Sequence, residues 1–220
     1  MYVPKYHEET DLSVIHAFIR KHPLGAWVTY ADGVPIANHI PFYLNPMKGK
    51  YGTLEGHVAR ANPVWKSLSD GVESIVLFQG ADAYITPSWY PGKRTHGKVV
   101  PTWNYVVVHA HGTPRLIEDR AWLREHLELL TNEQEAGAEE PWRVSDPPQD
   151  YTEGLMGAIV GVEIPISKLV GKWKVSQNRS GPERLGVIAG LKARGGTHAQ
   201  EMAELVRQYG PDDDAGSTHK

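Results

Sequence analysis

The residues best equipped for chemistry gather between Gly80 and Gly112, where GADAYITPSWYPGK leads into VVPTWNYVVVHAHG. Thr102, Trp103, Asn104 and Tyr105 set flat rings and hydrogen-bonding tips into a β-branched strand that holds Val99, Val100, Val106, Val107 and Val108. Aromatic side chains bury large areas and keep a polar handle. The mixture therefore suits a flat, polar, ring-shaped ligand or a tightly packed subunit interface. A strand that serves packing alone would be plainer.

Other polar stretches carry weaker signals. In Gly56-His57-Val58-Ala59-Arg60-Ala61-Asn62-Pro63 a strand ends, a glycine allows close approach, and a cation precedes what reads as a helix start. Such a junction can cradle an anion; equally, Asn62-Pro63 is a helix-initiating turn and Arg60 a solvated charge. Lys174-Val-Ser-Gln-Asn-Arg179 is the densest polar run of the last third, fit for phosphate or for a subunit contact, or else a solvated loop. Lys93, Arg94, His96 and Lys98 form a small basic cluster in a glycine-containing loop. His109 and His111 share a strand face, and His39 or His57 would be a third metal ligand, but no HExxH-like spacing accompanies them and no metal site is expected. Ser88, Thr102 and Ser176 have no partner that specifies a triad, and no GxSxG elbow, Walker loop or Rossmann glycine pattern occurs.

The elements that must position these groups follow from periodicity and punctuation. Leu12, Ile15, Phe18 and Ile19 line one helical face behind Thr10 and Asp11, and Pro23 with Gly25 ends the run. Short strands are predicted over Ala26 to Tyr30, Ile36 to Leu44, Tyr51 to Val58 and Ser74 to Phe78, with Asp32-Gly33 as a hairpin turn, which together make an antiparallel meander. A hairpin is expected from Val99–His111 into Arg115–Ile117. Asp119 then caps a helix that carries Trp122, Leu123, Leu127 and Leu130. Glu133 to Asp150 is acidic and proline-rich and reads as a loop, Ala158 to Ile164 as a strand. Capping boxes at Ser180–Glu183 and Thr197–Gln200 predict two helices joined at Gly195-Gly196. Pro211 to Lys220 has nothing apolar to bury and should be disordered. The pattern predicts a β-rich α+β fold in which the sheet closes, or nearly closes, into a barrel with peripheral helices. The expected organisation is one domain over 1–192, a C-terminal helix over 193–210 and a tail over 211–220.

Composition bounds the function. With 40% hydrophobic and 22% charged residues in 220, the chain has the make-up of an ordinary globular protein. It has no cysteine, which excludes disulfides, thiolate metal sites and cysteine nucleophiles. No apolar run suggests a signal peptide or a membrane span, so a cytoplasmic protein without membrane contact is expected. A net charge of −3 gives no general pull toward nucleic acid, and nothing resembles a helix-turn-helix.

Read together and in order, MYVPKYHEE, HPLGAWVT, NHIPFYL, GHVARANPVW, PSWYPGK with VVPTWNY, and KVSQNR before RLGVIAGL resemble the PaiB-type FMN-binding negative transcriptional regulators from Met1 to about Leu191. The resemblance implies a split β-barrel of the pyridoxamine-phosphate-oxidase-like kind, a homodimer, and FMN at the subunit interface. It also implies repression of protease production and sporulation. The alternative is a flavin-dependent oxidoreductase of a small molecule, with any regulatory effect indirect and the chemistry carried by the flavin. DNA is a partner on the first reading, though neither charge nor motif supports it, and haem would fit the same kind of slot.

The resemblance places the phosphate at the strand-to-helix junction of His57 and Arg60, with Asn62 nearby. The pyrimidine edge of the ring falls to the strand Asn38 to Phe42, around His39, Ile40 and Pro41, where Pro41 removes a ladder donor; otherwise this is only an edge strand beside a loop. Gln79, at an expected strand end, either reaches the ring or caps a turn with Gly80. The implied interface brings Trp103 and Asn104 from a second subunit; otherwise Trp103 is a core aromatic. Lys174, Gln177 and Asn178 become cofactor or interface contacts.

Overall fold

The computed structural model describes residues 1–31, 33–66, 68 and 71–210. Along the chain run β1 (Glu8–Glu9), α1 (Leu12–Lys21), β2 (Leu24–Ala31), β3 (Val34–Pro41), β4 (Tyr43–Asn45), β5 (Thr53–Ala59) and β6 (Ser74–Ile85). There follow α2 (Gly92–Thr95), β7 (Thr102–Gly112), β8 (Arg115–Ile117), α3 (Arg120–Glu135), α4 (Gln149–Gly157), β9 (Ile159–Lys174), α5 (Gly181–Arg194) and α6 (Thr197–Gln208). Asp32 of the expected turn and the whole expected tail, 211–220, lie outside the described residues.

Local chemistry explains the helix starts. The Asp11 carboxylate accepts from the Ser13 amide at 2.8 Å and Asp119 from that of Trp122 at 2.8 Å, each satisfying a donor that the first helical turn leaves open. The two capping boxes do not form. Ser180 precedes α5 without a side-chain capping bond, and α6 begins at Thr197 behind Gly196, whose φ of +83° suits glycine. Short α4 occupies Gln149–Gly157, the start of which falls in the expected acidic loop.

The strand order is β3-β2-β6-β7-β9-β5-β4, with β1 and β8 also paired to β9. This corrects two expectations. The hairpin β2–β3, in register from Leu24↔Pro41 to Ala31↔Val34, and the pair β4–β5 stand at opposite ends of the order, not next to each other as in a meander. β8 pairs with β9 through Arg115↔Glu163, not back onto β7 as a hairpin. Both corrections trace to β9, whose 16 residues offer edges to several strands. Ile40, on the end strand β3, and Phe42, just after it, lie against Gly56 of β5 near the other end of the order, so the sheet curls on itself where that glycine has no side chain.

The chain divides into two compact units, one from Asp11–Phe78 and Val108–Leu169, the other from Met1–Thr10, Gln79–Val107 and the segment that begins at Val170. The first buries Trp27, Phe42, Leu44, Leu54, Phe78, Val162 and Ile164; the Trp27 indole donates to Ser74 Oγ at 3.0 Å, and Ser74 Oγ donates to the Gly112 carbonyl at 3.1 Å. The second buries Ile85, Tyr90, Val187, Leu191, Met202 and Val206. There the Trp89 ring lies on α5 at Gly190, where a Cβ would overlap it.

Candidate functional site

In the unit that holds β2–β5, the expected phosphate junction is bound up in the chain's own contacts. β5 ends at Ala59, and only a short 3-10 turn, Pro63–Lys66, follows. Arg60 donates from Nε to the Gly157 carbonyl at 3.1 Å, from Nη2 to the Ile159 carbonyl at 3.2 Å and from Nη1 to Glu118 at 2.6 Å. Its charge is paired with the Glu118 carboxylate in a contact that stays open to solvent. Asn62 is a turn residue, its Oδ1 accepting from the Val64 amide at 3.0 Å and its Nδ2 donating to Asn38 Oδ1 at 2.8 Å.

His57 meets His126, which sequence reading missed, with Nδ1 and Nε2 3.0 Å apart. Trp122 stacks on His126 at 5.2 Å between centroids. Burial holds the pKa of His57 below its usual value and takes His126 to about 3, the neighbouring imidazole adding to the effect on His126. Both rings are therefore neutral near pH 7.

On edge strand β3, His39 and Pro41 are exposed and Ile40 is buried. Beside them the Nδ2 of Asn38 and the Oγ1 of Thr29 are buried without a hydrogen-bond partner among the described residues. Unpaired buried donors of this kind are uncommon and mark a place where a polar group fits. His111 Nδ1 lies 3.7 Å from Glu73, and burial takes the His109 pKa to about 4. Among the described residues no cluster of three or more metal-ligating side chains is close enough to hold an ion.

The other unit gathers the remaining candidates. Gln79 is exposed and stands inside β6, not at a strand end. Trp103 is 53% exposed and meets Tyr84 edge to face at 6.0 Å, in an open cleft of about 540 Å³ with Asp82, Arg194 and His198. Asn104, 1% exposed, is occupied with Ser176: its Nδ2 donates to Oγ at 2.9 Å. Gln177 is consumed by its surroundings, as Oε1 accepts from the Val175 amide at 2.9 Å and from His7 Nδ1 at 2.9 Å while Nε2 donates to the Trp173 carbonyl at 2.5 Å. Asn178 is exposed. Lys174 donates to Thr102 Oγ1 at 2.8 Å, and Lys172, which sequence reading passed over, donates to the Tyr2 carbonyl at 3.1 Å. Both ammoniums stand over Tyr105, 5.3 Å from the ring centroid for Lys172 and 5.7 Å for Lys174.

Comparison with known proteins bears on what this arrangement serves. Residues 1–168 match the family model described as "Putative FMN-binding domain". The chain belongs to this FMN-binding family. It is 34% identical over 208 residues to "Protease synthase and sporulation protein PAI 2" of Bacillus subtilis, covering 94% of this chain and 96% of that one. Among solved structures it is similar to the FAD- and haem-binding protein of Mycobacterium smegmatis, with a TM-score of 0.59 at 17% identity over 87% of this chain and 81% of that one. It is also similar to the flavocytochrome Anf3 of Azotobacter vinelandii, with a TM-score of 0.58 at 18% identity over 82% and 74% of the two chains. The fold is thus the split barrel of the pyridoxamine-phosphate-oxidase-like flavoproteins, and FMN is the cofactor of the family.

The residues present fit such a group. FMN is planar, carries a ring edge of donors and acceptors, and ends in a phosphate. The Asn38 Nδ2 and Thr29 Oγ1, without a partner among the described residues, the exposed Trp103 face, and the Lys172 and Lys174 ammoniums offer the matching chemistry, each within its own unit. When bound, FMN supplies one- or two-electron redox chemistry. No helix among the described residues is long and apolar enough to cross a membrane.

Proposed function

We propose that this protein is a cytoplasmic FMN-binding homodimer that regulates transcription, with protease production and sporulation as the kind of genes it represses. The family match over residues 1–168 carries the reading, and the 34% identity to PAI 2, named for protease synthesis and sporulation, supports its regulatory part. In one unit the backbone edge at His39, Ile40 and Pro41 suits the pyrimidine side of a flavin; in the other, taken by itself, Trp103 offers a ring face and Gln79, Lys174 and Asn178 offer polar groups. His57, Arg60, Asn62, Asn104 and Gln177 shape these surfaces through bonds to the chain itself. Homodimerisation accounts for the exposed apolar side chains of Tyr84, Val100 and Trp103, which a partner subunit would cover.

Gel-shift and footprinting on candidate promoter DNA at several salt concentrations, alongside light scattering, tests the reading. A dimer that protects a defined site, and binds more weakly as salt rises, supports it. Purified dimer that binds no DNA but oxidises a reduced nicotinamide would replace it with a flavin-dependent oxidoreductase. Retention of one flavin per chain by a monomeric variant would remove the interface from the account.

A further inference from the structure

Lys172 and Lys174 lie two apart on β9 and so project from the same strand face, where they flank one phenol ring. Lys172 is only 8% exposed. Among the described residues neither ammonium has a carboxylate within ion-pair distance; Glu8, which faces Lys172 in the β1–β9 register, makes no ion pair with it. Their partners are the Tyr2 carbonyl, the Thr102 hydroxyl and the Tyr105 ring, and Lys172 also stands over the Tyr2 ring, 5.9 Å from its centroid. A buried charge without an opposite charge is costly, and two ring faces carry no net charge to neutralise two cations. His7 adds no positive charge, because burial above all, together with the two ammoniums, lowers its pKa against the rise that its bond to Gln177 gives. Nδ1 donates to Gln177 Oε1, which already accepts from Val175, so the neutral ring is held in place.

We propose that Lys172, Lys174 and Thr102 form a binding site for a phosphate-monoester dianion. Two ammoniums match its two charges, and lysine recognises phosphate as a compact point charge with freely rotating donors. The site is separate from the Arg60 junction, whose cation is already matched by Glu118. The dianion belongs either to FMN itself or to a second phosphorylated molecule, and the experiment separates the two.

Inorganic phosphate is titrated into the full-length protein and followed by 31P NMR, for the wild type and for Lys174→Met, Lys172→Met and Thr102→Val, with circular dichroism to confirm folding. Lys174→Met, at a partly exposed position, serves should Lys172→Met fail to fold. The wild type binds phosphate, and Lys174→Met weakens it about tenfold or more, as expected for a charge-assisted contact. FMN and riboflavin are then titrated. If FMN displaces the phosphate and Lys174→Met weakens FMN but not riboflavin, the dianion is that of FMN; if FMN and phosphate bind together, it belongs to a second molecule. Phosphate binding that is absent from the wild type, or unchanged in folded Lys174→Met, overturns the site. A wild type that binds phosphate but no flavin would instead overturn the flavin reading alone.

Discussion

His57 Nδ1 lies 3.0 Å from His126 Nε2, and the remaining nitrogen of His126, Nδ1, is buried with no partner among the described residues. One of the facing nitrogens must donate and the other accept. An orphaned donor costs more than an orphaned lone pair, so the favoured arrangement has His126 donating from Nε2 to His57 Nδ1.

The pair makes stability depend on pH. Burial lowers both folded-state pKa values, that of His126 to about 3, so the folded protein resists protons that the unfolded chain takes up near the ordinary histidine value of about 6.5. The unfolded state binds more protons in that window, and stability falls as the pH drops below about 6.5, levelling off near the folded values. Urea midpoints should decline between pH 7 and 5, and His126→Leu should flatten part of that slope. An equal slope in the variant would show that other histidines, such as buried His109, carry the dependence.

Gly161 is the place where Trp122 passes over β9, and a methyl group there would run into the indole. Gly161→Ala should therefore push Trp122 off its stack on His126 and destabilise the protein by about 1–3 kcal/mol, the usual penalty of overpacking. Thermal unfolding and tryptophan emission would both report it; a wild-type spectrum with unchanged stability would contradict the packing described.

Arg60 ties the end of β5 to the Gly157 and Ile159 carbonyls and to Glu118. Arg60→Ala should cost about 1–2 kcal/mol of stability. Because its charge is matched within the chain, FMN affinity of the folded variant should change by less than about threefold, below the effect expected for a lost charge-assisted bond. A loss of tenfold or more in a flavin fluorescence titration would return the phosphate to the junction.

These residues also show what the chain makes legible and what it hides. The Asp11 and Asp119 caps and the apolar faces behind them fixed α1 and α3 because helix signals are local. Gln79-Gly80 reads as a turn that would end β6 at Phe78, yet the strand runs to Ile85 with Ala81 and Ala83 buried in its continuation. β9 likewise runs past Pro165 to Lys174. Pairing was less legible still: β8 chooses β9 over β7, a decision made by strands some 45 residues apart in sequence, Arg115 to Glu163 being the first match. In the candidate site, the chain names polar residues but not the partners they meet. Nothing local announces that Arg60 meets Glu118, that His57 meets His126, or that Lys172 joins Lys174 over Tyr105.

The central claim is that the fold carries FMN. The most direct measurement is the visible absorption spectrum of freshly purified protein, followed by titration with FMN monitored by flavin fluorescence. A flavin absorption spectrum in roughly the proportion of one FMN per chain is expected, or saturation at that ratio once FMN is added. Protein that is colourless and leaves FMN fluorescence unchanged at every concentration would contradict it.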